Sequence, residues 1–129
     1  MSSRPCLGNK IYVFYVQNNS IQSIVGNDSS WVAGSDPQAE TGSMPATCPI
    51  PKFNALALFY IPSGSDLVSF KTMTSDGLWS DEQTLPSLPT AFAGGQVAAC
   101  HNTTTGRIEL CASQSHDRVN IWHAVRDAS

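Results

Sequence analysis

Apolar residues along this chain fall in short alternating runs separated by turns rich in Gly, Asn, Ser and Pro. Residues 10–16, KIYVFYV, place Ile11, Val13 and Tyr15 on one face of a strand and Tyr12, Phe14 and Val16 on the other. Both faces are apolar, as in a strand packed between two neighbouring sheets. Asn18-Asn19 reads as a tight turn, and SIQSI (20–24) as the returning strand. ALALFYI (55–61) and DLVSFKTM (66–73) form a second such pair, flanked by MPATC (44–48) and EQTLPSL (82–88). Helix signals are almost absent. No capping box opens a periodic apolar run, and Pro or Gly interrupts every longer window.

The pattern repeats. In each copy a short segment ending in Cys is followed by a linker, an apolar strand, a polar turn and a second strand. In the first two copies, a small polar loop carrying Trp comes next. Phe14-Tyr15 returns as Phe59-Tyr60, Trp31 as Trp79, and Cys6 as Cys48 and then Cys100. A third copy has VAAC (97–100), RIELCAS (107–113) and VNIWHAV (119–125) in the corresponding places. Four strand-sized segments recurring every 42–52 residues are the signature of a β-propeller blade. The predicted fold is therefore all-β, a single domain of three propeller-like repeats at approximately 1–42, 43–92 and 93–129. On this alignment Cys6, Cys48 and Cys100 stand at equivalent places on successive units. Such places are too far apart for disulfides, whose Cα atoms must lie within about 7 Å.

The segment IYVFYVQNNSIQSIVGNDSSWVAG resembles the blade repeat of the fungal fucose-specific lectins, which are six-bladed propellers with bacterial relatives. VAAC, IYVFYVQ, LALFYIP, SIQSI, SSWVAG and GLWSD carry the likeness. The resemblance implies a sugar-binding role. In that family an Arg on the second strand and a Glu on the third hold sugar hydroxyls, with aromatic rings packed on the apolar side of the sugar. Here the Arg position falls on Tyr12, Ala57 and Glu109, and the Glu position on Ser23, Ser69 and His123. No copy keeps the pair, so the fucose site does not carry over, and only Trp31 and Trp79 match as stacking platforms. Each Trp could equally plug the gap between adjacent blades. Arg107 and Glu109 lie two apart, hence on one face of a strand, either as a pocket pair or as a solvated ion pair. The candidate carbohydrate-binding residues are thus Trp31, Trp79, Tyr12, Arg107 and Glu109.

Composition narrows the function classes. Only 13% of residues are charged and the net charge is −3, which offers no electrostatic footprint for nucleic acid. No apolar run reaches the length of a membrane span, and MSSRPCLGNK lacks a signal-peptide core. These features predict a cytoplasmic protein, with unconventional secretion as an alternative. Its thiols would be free, and the sequons at Asn18, Asn27 and Asn102 would be products of composition. The three His residues and four Cys residues show no metal-ligand spacing, and no nucleophile or phosphate-loop motif occurs. The ten Asp and Glu are dispersed along the chain. The expectation is a non-catalytic module that needs no cofactor and takes a glycan or monosaccharide. The alternative is a propeller scaffold for protein partners or self-assembly. Three blades cannot close a ring, which predicts a homodimer of two three-blade halves.

Overall fold

Asn18 and Asn19 both take left-handed backbone angles, φ 52° and 63°. Such a pair defines a type I′ turn, whose twist matches that of the strands it joins, and Asn tolerates the conformation better than other residues with a Cβ. The turn sets the register of β2 (Lys10–Gln17) against β3 (Ser20–Gly26), pairing Gln17 with Ser20, Phe14 with Ser23 and Tyr12 with Val25. β1 (Cys6–Leu7) and β4 (Trp31–Ala33) complete a four-stranded antiparallel sheet in the order β1-β2-β3-β4.

This computed structural model describes residues 6–7, 10–27, 29–41, 44–65, 67–85, 97–113 and 121–127, with side chains described from residue 10 to residue 112 within those spans. The second sheet contains β5 (Ala46–Ile50), β6 (Ala55–Tyr60), β7 (Ser69–Thr74) and β8 (Gln83–Thr84), again in chain order. The third contains β9 (Val97–Asn102), β10 (Arg107–Ser113) and β11 (Ile121–Asp127). The β5–β6 and β9–β10 hairpins share a four-residue connection with a left-handed last residue, Asn54 at φ 49° and Gly106 at φ 74°. Among the described residues the only helical piece is the 3-10 turn Pro51–Phe53. None forms a helix long and apolar enough to cross a membrane.

The three sheets stack face to face. β6 is the centre, with all six residues buried. Leu56, Leu58 and Tyr60 pack with Tyr12, Phe14 and Ile21 of the first sheet and with Met73. Ala55, Ala57 and Phe59 point the other way, into a core shared with Val97, Ile108, Leu110 and Ala112 of the third sheet. Burying each large apolar side chain of these layers contributes about 1.5–3 kcal/mol. The two-sided apolar pattern read for 10–16 is realised only in part. Tyr12 and Phe14 are covered, while Ile11, Val13 and Tyr15 are half-buried because no described sheet lies beyond them.

Residues 34–41 strap the first sheet to the second. The amide of Ile21 donates to the Ala39 carbonyl (2.9 Å) and that of Thr41 to Asn19 (2.8 Å). The buried Thr41 hydroxyl donates to Ile61 (2.7 Å), and the Lys71 ammonium donates to Pro37 (2.7 Å).

Two expected equivalences shift by one residue. Cys48 pairs with Ala57 and Cys100 with Glu109, but Cys6 pairs with Ile11 rather than Tyr12. Ser23 and His123 oppose Phe14 and Cys111, whereas the matching position opposite Phe59 is Phe70, not Ser69. The physical reason is loop length. Two residues join β2 to β3, and eight join β6 to β7, so the place of the returning strand cannot be carried from one unit to the next by counting along the sequence. A one-residue slip moves a side chain to the opposite face. The unit boundaries at 42/43 and 92/93 lie outside the described residues, as do AFAGGQ (91–96), His116, Asp117 and Arg118.

Cys48, Cys100 and Cys111 are free thiols. Burial, assisted by neighbouring Cys100, pushes the Cys48 thiol from 9.0 up to about 11. Burial also raises the Tyr60 phenol well above its usual 10, helped by its hydrogen bond to the Glu82 carboxylate. Both groups favour the neutral form in the folded state, so the unfolded chain releases their protons first. The Cys48 contribution is complete below pH 9 and is lost as pH rises from 9 through about 11, and the Tyr60 contribution begins to be lost only as pH rises past 10. Urea midpoints measured between pH 7 and 11 are expected to hold and then fall across that window, and Cys48→Ala is expected to flatten its lower part. Leu58→Ala, at a fully buried position between the first two sheets, is expected to cost about 2–5 kcal/mol in the same measurement.

Candidate functional site

Trp79 follows the turn that closes β7. The amide of Gly77, at φ 82°, donates to Thr74 (2.9 Å), and that of Thr74 to the Leu78 carbonyl (3.0 Å). Ser80 then fastens to Thr72 in both directions. Its amide donates to the Thr72 carbonyl (2.8 Å), and its hydroxyl accepts from the Thr72 amide (2.9 Å). Trp79 is thereby held against Met73 and turned toward the first sheet, where its ring meets Phe14 edge-on at 5.8 Å and 78°. Its indole N–H donates to the Ser35 carbonyl (3.1 Å), which also accepts from the Ser23 hydroxyl (3.1 Å). The Ser35 hydroxyl in turn donates to the Gly77 carbonyl (2.6 Å). Gly34 makes this closeness possible, since a Cβ there would stand 2.3 Å from the Ser23 hydroxyl oxygen.

The strap and the turn enclose an open pocket of about 260 Å³ at the junction of the first two sheets. Trp79 and Leu78 supply apolar wall, and Asp36, Gln38, Lys71 and Asp81 supply polar groups. Asp36 accepts the Gln38 amide (2.8 Å) and so stabilises the left-handed backbone of Gln38, φ 54°. Lys71 is anchored on the strap carbonyls and leaves part of its ammonium donor capacity to the pocket. An aromatic ring beside convergent hydroxyl, amide and carboxylate groups suits a small polyhydroxylated molecule.

The five residues singled out from the sequence do not converge. Trp79 lines this pocket and also fills the gap between the first two sheets. Tyr12 is 5% exposed, stacked on Phe14 in the core, which removes it from any ligand-facing surface. Trp31 lies on the far face of the first sheet, 48% exposed, with its ring across Gly26. Arg107 and Glu109 share the outward face of the third sheet, where Glu109 accepts from the Asn102 side-chain amide (2.9 Å). A second hollow of about 300 Å³ lies there, lined by Ala98, Ala99, Cys100, Glu109 and Cys111. Asp36, Gln38, Lys71 and Asp81 were not legible as a set, because the strap brings together positions 33–45 residues apart. Asp-Pro at 36–37 was the one local sign of a turn. No group of three or more His, Cys, Asp or Glu able to hold a metal ion occurs among the described residues.

No protein-family model matches the sequence, and no curated protein matches it. Solved structures do resemble the fold. The NanB sialidase of Streptococcus pneumoniae superposes with a TM-score of 0.74 at 14% identity, over 95% of this chain and 20% of that one. The fucose-specific lectin of Aleuria aurantia, in a mutant form complexed with α-methyl-L-fucoside, superposes at 0.59 and 14% identity, over 100% of this chain and 46% of the lectin. The same lectin as a mercury derivative gives 0.54 at 15% identity. The chain therefore spans a fifth of the sialidase and less than half of the lectin. At this identity the likeness concerns the fold, which is all-β with propeller-type blades.

The two tryptophans are expected to separate in a stability measurement. Trp79→Ala removes an edge-on aromatic contact and a hydrogen bond at a sheet junction, and should cost about 2 kcal/mol or more. Trp31→Ala, at a half-exposed ring, should stay within about 1 kcal/mol. Urea denaturation followed by tryptophan fluorescence and circular dichroism reads both.

Proposed function

We propose that this protein is a lectin-like carbohydrate-binding module, and that the pocket beside Trp79 is its sugar site. The observation that carries the reading is the combination in one hollow of an aromatic wall with Asp36, Gln38, Lys71 and Asp81. A pyranose presents an apolar C–H face and a rim of hydroxyls, each able to donate one hydrogen bond and accept others. Carboxylates accept from vicinal hydroxyls, an ammonium donates to them, and the indole covers the apolar side. The fold likeness to the Aleuria aurantia lectin, solved with fucosides, supports this class of ligand. The departure from Arg and Glu at the positions matched in sequence makes fucose itself a weak expectation.

A second reading has its own observation. Asp36 and Asp81 line one pocket, and paired carboxylates are what glycoside hydrolysis requires. Binding remains the better account. Both residues are exposed at the rim, and Asp36 is committed to the Gln38 amide, whereas a general acid is usually held protonated by burial.

A glycan array followed by titration of the best monosaccharide with the native chain is expected to show saturable binding. Asp81→Ala and Lys71→Met should each weaken it by about tenfold or more, equivalent to about 1.4 kcal/mol, while Trp31→Ala leaves it unchanged. Binding that survives both pocket substitutions would remove the site. Turnover of chromogenic glycosides that is lost in Asp81→Asn would favour the hydrolase.

A further inference from the structure

Leu78 is the most exposed large apolar side chain among the described residues, at 68%. A lone apolar residue on a surface needs no explanation. Leu78 differs from that case in two respects. It lines the hollow beside Trp79, and its backbone is fixed at both ends. Its carbonyl accepts the Thr74 amide (3.0 Å), and its own amide donates to the Thr74 hydroxyl (3.4 Å). Trp79 already supplies the flat wall that the C–H face of a pyranose requires. A second apolar group held at the same hollow therefore suits a ligand with a second apolar group of its own.

The polar groups of the hollow narrow what carries that apolar group. Lys71 gives two of its ammonium hydrogens to the Pro37 and Gln38 carbonyls (2.7 and 3.5 Å), which leaves one donor. Asp36 accepts the Gln38 amide through one carboxylate oxygen and keeps the other. Asp81 adds a second, exposed carboxylate. An ammonium on the ligand would be attracted by the two carboxylates but repelled by Lys71. A ligand carboxylate would be attracted by Lys71 but repelled by both aspartates. A neutral amide avoids both repulsions. Its N–H donates to a carboxylate, its C=O accepts from Lys71, and its methyl group lies on Leu78. Resting on the reading of this hollow as a sugar site, we propose that its sugar carries an acetamido group and that Leu78 selects this group over a hydroxyl. A hydroxyl at the same position makes comparable hydrogen bonds but brings nothing apolar to cover Leu78. Burial of the methyl group on Leu78 favours the acetamido sugar by about fourfold.

Calorimetric titration of the native chain tests this with the methyl glycosides of glucose, galactose and mannose, each bearing a 2-hydroxyl, a 2-amino or a 2-acetamido group. In the series that binds best, the acetamido sugar should bind about fourfold tighter than the hydroxyl sugar, or more, and the protonated amine should bind no tighter than the hydroxyl. Leu78→Ser should bring the acetamido-to-hydroxyl ratio below about twofold, with β-sheet circular dichroism unchanged, and Leu78→Met should keep the native ratio. Equal binding of the acetamido and hydroxyl sugars would overturn this inference and leave the sugar site standing. So would tightest binding of the amine, or a ratio that Leu78→Ser does not change. Absence of saturable binding across all nine glycosides would overturn the inference together with the reading it rests on. Should Leu78→Ser fail to fold, the ratios measured on the native chain and on Leu78→Met still decide.

Discussion

A strand buried on both faces requires two partners, and β6 is such a strand. Its six residues alternate large toward the first sheet (Leu56, Leu58, Tyr60) and mostly small toward the third (Ala55, Ala57, then Phe59). The alternation sets how closely each neighbour approaches. Leu and Tyr meet Tyr12 and Phe14 in a thick aromatic layer, whereas Ala57 beside Cys48 lets Ile108 and Leu110 of β10 fill the space. The stack of three sheets follows from this one strand, because neither neighbour could turn away without exposing its own apolar face along with that of β6.

The pocket is a by-product of the same stacking. Wherever two sheets fan apart from a common axis, the outer gap must be closed, and here Trp79 and the strap of residues 34–41 close it. The strap costs a left-handed Gln38 and needs a glycine at 34, and these strains are offset by its hydrogen bonds to Asn19, Ile21, Ile61 and Lys71. Polar groups gather at that place because a backbone segment lying across a sheet junction must satisfy its carbonyls and amides there. Ser23, Ser35, Lys71 and the Trp79 indole all serve that need.

The strands and their repetition were legible in the sequence because side-chain alternation is a local property, visible in KIYVFYV and ALALFYI without knowledge of any partner. The register between strands was less so. Asn18-Asn19 specifies a two-residue turn and hence the β2–β3 pairing outright, but the eight residues from Ile61 to Val68 carry no comparable signal, and the expected place of Ser69 fell one residue from the true equivalent, Phe70. The candidate site was the least legible part. Trp79 was visible as an aromatic in a polar loop, whereas Asp36, Gln38 and Lys71 look like ordinary surface residues until the strap lays them beside it. Tyr12 misled for a related reason. Position on a strand predicts its face, but only the neighbouring sheet determines whether that face meets a ligand or the core.

Trp79 links the stability of the fold to the candidate pocket more tightly than a loop aromatic on a single sheet could. Its indole N–H is committed to Ser35 and its ring to an edge-on contact with Phe14, so that it lines the pocket with its orientation already fixed. A platform held in this way loses little side-chain entropy when something stacks on it, which favours binding of small molecules whose contact area is modest. The same commitment restricts how the site can change. Of the polar residues of the rim, Asp36 and Gln38 lie on the strap and Asp81 after the turn that closes β7, all exposed, and Lys71 projects from β7 itself with its ammonium on the strap carbonyls, while the Trp79 ring cannot be exchanged without opening the junction it fills. Specificity in such an arrangement is free to vary around a constant aromatic wall, and that wall stays because the fold needs it.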